Sequence, residues 1–167
     1  MKKIMIIGSG GAGKTTLSMH LSEKLDIPVV HLDAIYWKPG WVGSQKEEWE
    51  EKQKQALSGD KWIVDGNYIS SIHLRLEQCD TVIFLNFSKY LCLYNVLKRY
   101  FQYRGKTRPD LNSDCPERID FEFLQWIWNF PRYNTPAILD ILAKQPEDLN
   151  IYVMESPKEI RSFLTSL

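Results

Sequence analysis

Gly8-Ser9-Gly10-Gly11-Ala12-Gly13-Lys14-Thr15 follows a short apolar run, residues 3–7, and opens a segment of helical composition, residues 14–25. The stretch has the form G-x-x-x-x-G-K-[ST], which cradles phosphate when a strand enters it and a helix leaves it. Its glycines let the backbone curl so that successive N–H groups point at phosphate oxygens, and the helix start adds the positive end of its dipole. Lys14 is expected to reach the β- and γ-phosphates of a purine nucleoside triphosphate, and Thr15 to offer its hydroxyl to Mg²⁺. The plainer reading is a glycine-rich turn joining strand to helix. Against it stand the preceding strand, the Gly-Lys-Thr ending and the following helix.

Outward from this loop, apolar runs of strand length fall at 3–7, 28–32, 62–64, 81–86 and 150–154. Helix-length segments lie between them at 14–25, 45–57, 70–77, 88–103 and 117–144, the last expected to break around Pro131 and Pro136. Ser156 and Pro157 have the character of a cap and a first-turn residue for a closing helix. Alternation of this kind predicts an α/β fold, a five-stranded parallel sheet with helices on both faces. No repeat, low-complexity tract or linker divides the chain, so residues 1–167 read as one domain.

Composition narrows the function. With 44% apolar and 25% charged residues the chain can bury a real core, and 21 basic residues balance 21 acidic ones. That balance lacks the positive excess of a dedicated nucleic-acid binder, so nucleic acid is a secondary expectation as a partner. The three cysteines, Cys79, Cys92 and Cys115, are odd in number and far apart, unlike a disulfide framework or a zinc site, and fit a reducing cytoplasm. No apolar segment approaches the ~18 residues of a membrane span, and none has the form of an export signal.

Two carboxylates stand at expected strand ends. Asp65, in Trp62-Ile-Val-Asp65-Gly66, is the candidate to accompany Thr15 at the metal, against the alternative of an Asp-Gly turn. Asp33 would accept a proton from an attacking hydroxyl or anchor an acceptor, or else serve as a turn or capping residue. His31 is read as packed and hydrogen bonded. From Thr81 to Pro109 there is no acidic residue, while Lys89, Lys98, Arg99, Arg104, Lys106 and Arg108 all occur. A basic, flexible segment after the fourth strand suits a lid over a triphosphate, with Arg104 and Arg108 on the charge of the transferring group. Trp37 and Trp41 either line an acceptor pocket or pin their loop to the core, and most aromatics of 121–133 are expected in the core.

Taken together, the phosphate loop, Leu32-Asp33-x-x-Tyr36-Trp37-Lys-Pro39-Gly40-Trp41, Asp65-Gly66-Asn67-Tyr68, Arg104-Gly-Lys-Thr-Arg108-Pro-Asp110 and Cys115-Pro-Glu117-Arg118 resemble the topology modulation proteins, small members of the adenylate-kinase-like branch of the P-loop kinases. The resemblance implies a three-layer P-loop NTPase fold with sheet order 2-3-1-4-5. It also implies an ATP site from Gly8 to Thr16 and a helical lid at about 99–118. Asp65-Gly66 is similar to the Asp-Gly of nucleoside monophosphate kinases, but Asn67-Tyr68 replaces the continuation that carries their phosphate-clamping arginine. Asp33-Ala-Ile-Tyr36 resembles the Asp-x-Phe-Tyr element of uridine-kinase-like enzymes, in which the aspartate serves the acceptor hydroxyl. The expectation is therefore a kinase using ATP and Mg²⁺ on an unidentified small acceptor. The alternative is a nucleotide-binding regulatory NTPase acting through a partner such as nucleic acid.

Overall fold

In a computed structural model of the chain, which describes residues 1–106, 111 and 114–167, strands β1 (Lys3–Gly8), β2 (Val29–His31), β5 (Trp62–Asp65), β6 (Thr81–Leu85) and β7 (Asn150–Met154) form one parallel sheet. Its order is β2-β5-β1-β6-β7, which is 2-3-1-4-5 when only the strands of this sheet are counted. Two further strands, β3 (Trp37–Lys38) and β4 (Val42–Gly43), make a small antiparallel hairpin that the sequence pattern did not announce.

The period-2 alternation of the strands divides the core. Ile4, Ile6, Ile83 and Leu85 face one side, where Leu17 and Leu21 of α1 (Lys14–Leu25), Val96 of α5 (Lys89–Tyr103) and Ile127 of α6 (Phe121–Ala143) meet them. Met5, Ile7, Val82 and Phe84 face the other side, against Trp49 of α3 (Lys46–Ala56), Ile72 of α4 (Ile72–Leu76) and Ile138 and Leu142 of α6. Side chains such as Ile83, wholly buried, are each worth roughly 1.5–3 kcal/mol of transfer free energy. The register also levels the carboxyl ends of the strands: His31 and Ile6 both pair with Asp65, and Gly8 pairs with Leu85. Ligands of open α/β sheets gather at this edge.

Three boundaries differ from expectation. The second strand ends at His31, and Asp33 lies in the first turn of a short helix, α2 (Leu32–Tyr36). The sixth helix begins at Phe121 instead of near 117, because Glu117 is taken up in a backbone bridge with Arg104 and Asp120 supplies the N-cap. That helix also runs unbroken through Pro131 and Pro136. Both prolines are exposed, and the carbonyl that Pro136 leaves unbonded is that of the exposed Arg132, while Ile127, Phe130, Thr135, Ile138 and Leu142 are buried and hold the helix against the sheet. The closing helix α7 (Pro157–Ser166) starts as expected, with Ser156 accepting from the Glu159 N–H.

The Asp120 carboxylate accepts a 2.7 Å hydrogen bond from the Phe123 N–H. Asp120→Ala should lower stability by about 1 kcal/mol, read as a shifted urea midpoint with an unchanged slope.

Candidate functional site

The loop between β1 and α1 is bent by backbone angles that only glycine holds without strain. Gly13 has φ 88° with open space around it, so its conformation, not crowding, requires glycine. Gly11 has φ 76°, and a Cβ there would lie 2.2 Å from the Cys92 carbonyl oxygen on α5. Two side-chain amides fasten the loop: Asn67 accepts from the Gly8 N–H at 2.9 Å, and Asn95 of α5 donates to the Gly11 carbonyl at 2.8 Å. Across the curl, Lys14 Nζ donates to the carbonyls of Gly8 and Ser9, each at 2.9 Å. Burial pushes the Lys14 pKa below that of an ordinary lysine. The carboxylates of Asp33 and Asp65 are near enough to pull it back, and the Arg99 guanidinium near enough to lower it further.

Asp65, buried at the end of β5, accepts from Ser18 Oγ at 2.5 Å on Oδ2, and the same oxygen lies 2.8 Å from His31 Nδ1. His31 is thus hydrogen bonded, as a histidine in an apolar strand was expected to be, and its partner is the candidate metal carboxylate. Ser18 is one helical turn beyond Lys14, so α1 carries both the loop lysine and the hydroxyl that orients Asp65.

Asp33 is held from the segment that follows the neighbouring strand β5. Tyr68 Oη donates to Asp33 Oδ1 at 2.7 Å, and burial, followed by the Asp33 charge, pushes the phenol pKa far above its usual value. Tyr68 itself sits at φ 28° and ψ 61°, a conformation that costs a non-glycine residue about 1–3 kcal/mol. Arg75 of α4, fully buried, supports it by donating to the carbonyls of Gly66, Asn67 and Tyr68 at 2.8, 2.9 and 2.8 Å. The Tyr68 ring packs against Tyr36 and Trp49, with centroids 4.9 and 4.7 Å apart. Sequence reading passed over Arg75, Asn95 and Ser18; the available signal was Asn67-Tyr68 standing where a phosphate-clamping arginine is usual.

On the basic segment, Arg99 forms a 2.9 Å ion pair with the buried Glu117, while Arg104, the C-cap of α5, is exposed and Arg108 lies outside the described residues. Arg99 is near enough for its charge to bear on Lys14. The Trp residues of the β3–β4 hairpin are pinned, though not to the core. Trp41 Nε1 donates to the Pro116 carbonyl at 3.1 Å, its ring lies 4.6 Å below the Arg118 guanidinium, and the Gly40 N–H donates to the Asp114 carbonyl at 3.0 Å. Trp37 meets Trp41 edge-on at 5.4 Å. Of the aromatics on α6, Phe123, Trp126 and Phe130 pack into the core, whereas Phe121, Trp128 and Tyr133 are exposed, so the expectation of a mostly buried set holds for only half of them.

No family model and no curated protein matches the chain. Solved structures do match in fold. The shikimate kinase of Acinetobacter baumannii, in complex with shikimate, has a TM-score of 0.58 at 20% identity, covering 99% of this chain and 90% of its own. The deoxyadenosine kinase of M. mycoides, bound to dCMP and dCDP, has a TM-score of 0.55 at 16% identity, covering 98% and 95%. The shikimate kinase of Bacteroides thetaiotaomicron gives 0.51 at 17% identity, covering 98% and 94%. The chain shares the P-loop kinase fold with these proteins.

Because Arg75 donates to three successive carbonyls, Arg75→Met should lower stability by roughly 3 kcal/mol in urea unfolding. Tyr68→Phe, which keeps the ring in its aromatic packing, should cost about 1 kcal/mol by the same measurement.

Proposed function

We propose that this chain is an ATP-dependent phosphotransferase of the topology modulation protein type, working in the cytoplasm and moving the γ-phosphoryl group to a hydroxyl of a small acceptor. The observation that carries the reading is geometric: the half-buried Lys14 bonds across a phosphate-type loop, and the Asp33 carboxylate, held at 2.7 Å by Tyr68, and the buried Asp65 are near enough to act on it.

The residues present fit a nucleoside triphosphate with a hard divalent cation. The Gly8–Thr16 loop would offer backbone N–H groups and the start of α1 to the phosphates. Thr15 and Asp65 offer oxygen donors, and no group of three His, Cys, Asp or Glu side chains stands ready among the described residues, so Mg²⁺ would take the rest of its shell from phosphate and water. Bound there, the cation would neutralise charge on the transferring group. Lys14 would exchange its bonds to the Gly8 and Ser9 carbonyls for phosphate oxygens. A lid at about 99–118, carrying Arg99, Arg104 and Arg108, would close over them and exclude water.

In the transfer, the acceptor hydroxyl gives its proton to Asp33 as its oxygen bonds to the γ-phosphorus, and the bond from that phosphorus to the bridging oxygen breaks to release ADP. Tyr68 occupies Oδ1 and so leaves Oδ2 of Asp33 toward the acceptor. Asn67-Tyr68, in place of a phosphate clamp, supports a hydroxyl acceptor over a nucleoside monophosphate. Shikimate, held by one structural neighbour, is a small hydroxylated molecule of this general kind. The other reading, a regulatory NTPase that binds nucleic acid, rests on the basic segment.

Lys14→Ala should abolish tight Mg·ATP binding in calorimetry without unfolding the chain; unchanged affinity in the folded variant removes the phosphate site from the proposal. Asp33→Asn should keep ATP affinity and lower transfer by about 10², found by screening hydroxylated acceptors for ATP consumption. Wild-type transfer at saturating acceptor would return Asp33 to a structural role. Arg104→Ala and Arg108→Ala should slow turnover by up to about 10³ with little effect on ATP affinity. Loss of a DNA band shift at full turnover would instead favour the regulator.

A further inference from the structure

Helix α5 is apolar on two faces. Its inner face buries Cys92 and Val96 and sends Asn95 to the Gly11 carbonyl. Its outer face carries Tyr90, Tyr94, Leu97 and Phe101, which are 68%, 62%, 44% and 72% exposed. These four stand at i, i+4, i+7 and i+11, the alternation of a heptad seam, over about 16 Å of helix. Trp128 of α6, 47% exposed, meets Tyr90 edge-on at 5.8 Å and widens the stripe, with Lys89 Nζ 3.5 Å from its ring centroid. Side chains of this size bury about 150–250 Å² each, so the stripe offers on the order of 600 Å². That is at the top of what a lone monomer exposes and close to the ~800 Å² per partner of a standard interface.

We propose that a second copy of the chain covers this face, the two α5 helices lying antiparallel about a two-fold axis that passes between Asn95 and Val96. Under that axis the stripe complements itself. Tyr90 lies opposite Phe101 of the other copy and Tyr94 opposite Leu97, and both pairs occur twice, as an isologous interface requires. The α5 sequence Lys-Tyr-Leu-Cys-Leu-Tyr-Asn-Val-Leu-Lys-Arg-Tyr-Phe-Gln-Tyr has no acidic residue, so the pairing gains no ion pair between the two helices and rests on its apolar contacts. Through Asn95 the interface also lies one helix away from the phosphate loop, so each copy would brace the other's Gly11 turn.

Sedimentation velocity of the full chain between about 1 and 100 μM tests the proposal. Wild type should sediment at twice 19.6 kDa, and Tyr94→Glu/Leu97→Glu should weaken the dimer at least about 100-fold, because it buries charge in an apolar seam. Leu139→Glu, at an exposed position on α6, should leave the dimer unchanged. A wild-type monomer at 100 μM overturns the proposal, whether or not an acidic helix from another protein binds the stripe. So does a dimer that survives Tyr94→Glu/Leu97→Glu. Should that variant fail to fold, Tyr94→Cys/Leu97→Cys carries the same test: a disulfide-linked band at twice the monomer mass under oxidation, absent from wild type, supports the pairing, and its absence refutes it.

Discussion

The loop that joins β1 to α1 is held in shape by bonds from outside itself, and the rest of the site is organised around those bonds. Asn67, from the segment after β5, takes the Gly8 N–H, and Asn95, from α5, gives to the Gly11 carbonyl. Glycines permit the curl but do not choose it, since a chain free to visit left-handed angles loses more entropy when it is fixed. Two amides from separate elements restrict that freedom at Gly8 and Gly11. Such preorganisation spares a site from reordering itself at the moment of binding.

A second constraint runs through Arg75. A guanidinium out of water is costly, and burial pulls its pKa down to about 10. Three carbonyl acceptors offset that cost and hold Tyr68 in a strained turn. The strain has a geometric product: the phenol reaches across from the β5 end to Asp33 on α2. Strained residues collect where an arrangement must be specific, and this one orients a carboxylate at the sheet's carboxyl edge.

The hairpin and the basic segment form a third unit. Trp41, Gly40 and Lys38 bond to Pro116, Asp114 and Cys115, while Arg99 and Arg104 meet Glu117. The β3–β4 hairpin and residues 114–116 of the segment that follows α5 are therefore joined by hydrogen bonds. A displacement of one bears on the other through these contacts, which ties acceptor binding to closure over the phosphates in the proposed reaction.

Local pattern determined much of this protein. Short continuous apolar runs placed the five strands, and the glycines with Lys14 and Thr15 marked the phosphate loop, because apolar runs and left-handed turns depend on residues close in the chain. Ser156 and Pro157 marked the last helix for the same reason. Only the tertiary structure decided the rest. Pro131 and Pro136 do not break α6, since buried residues on both sides of them hold the helix against the sheet. Asp33 sits in a helical turn, not at a strand end, and its partner Tyr68 is 35 residues away. Arg75, Asn67 and Asn95 gain their roles from carbonyls and N–H groups that folding brings to them, and a side chain's usefulness to a distant backbone group leaves no periodic trace.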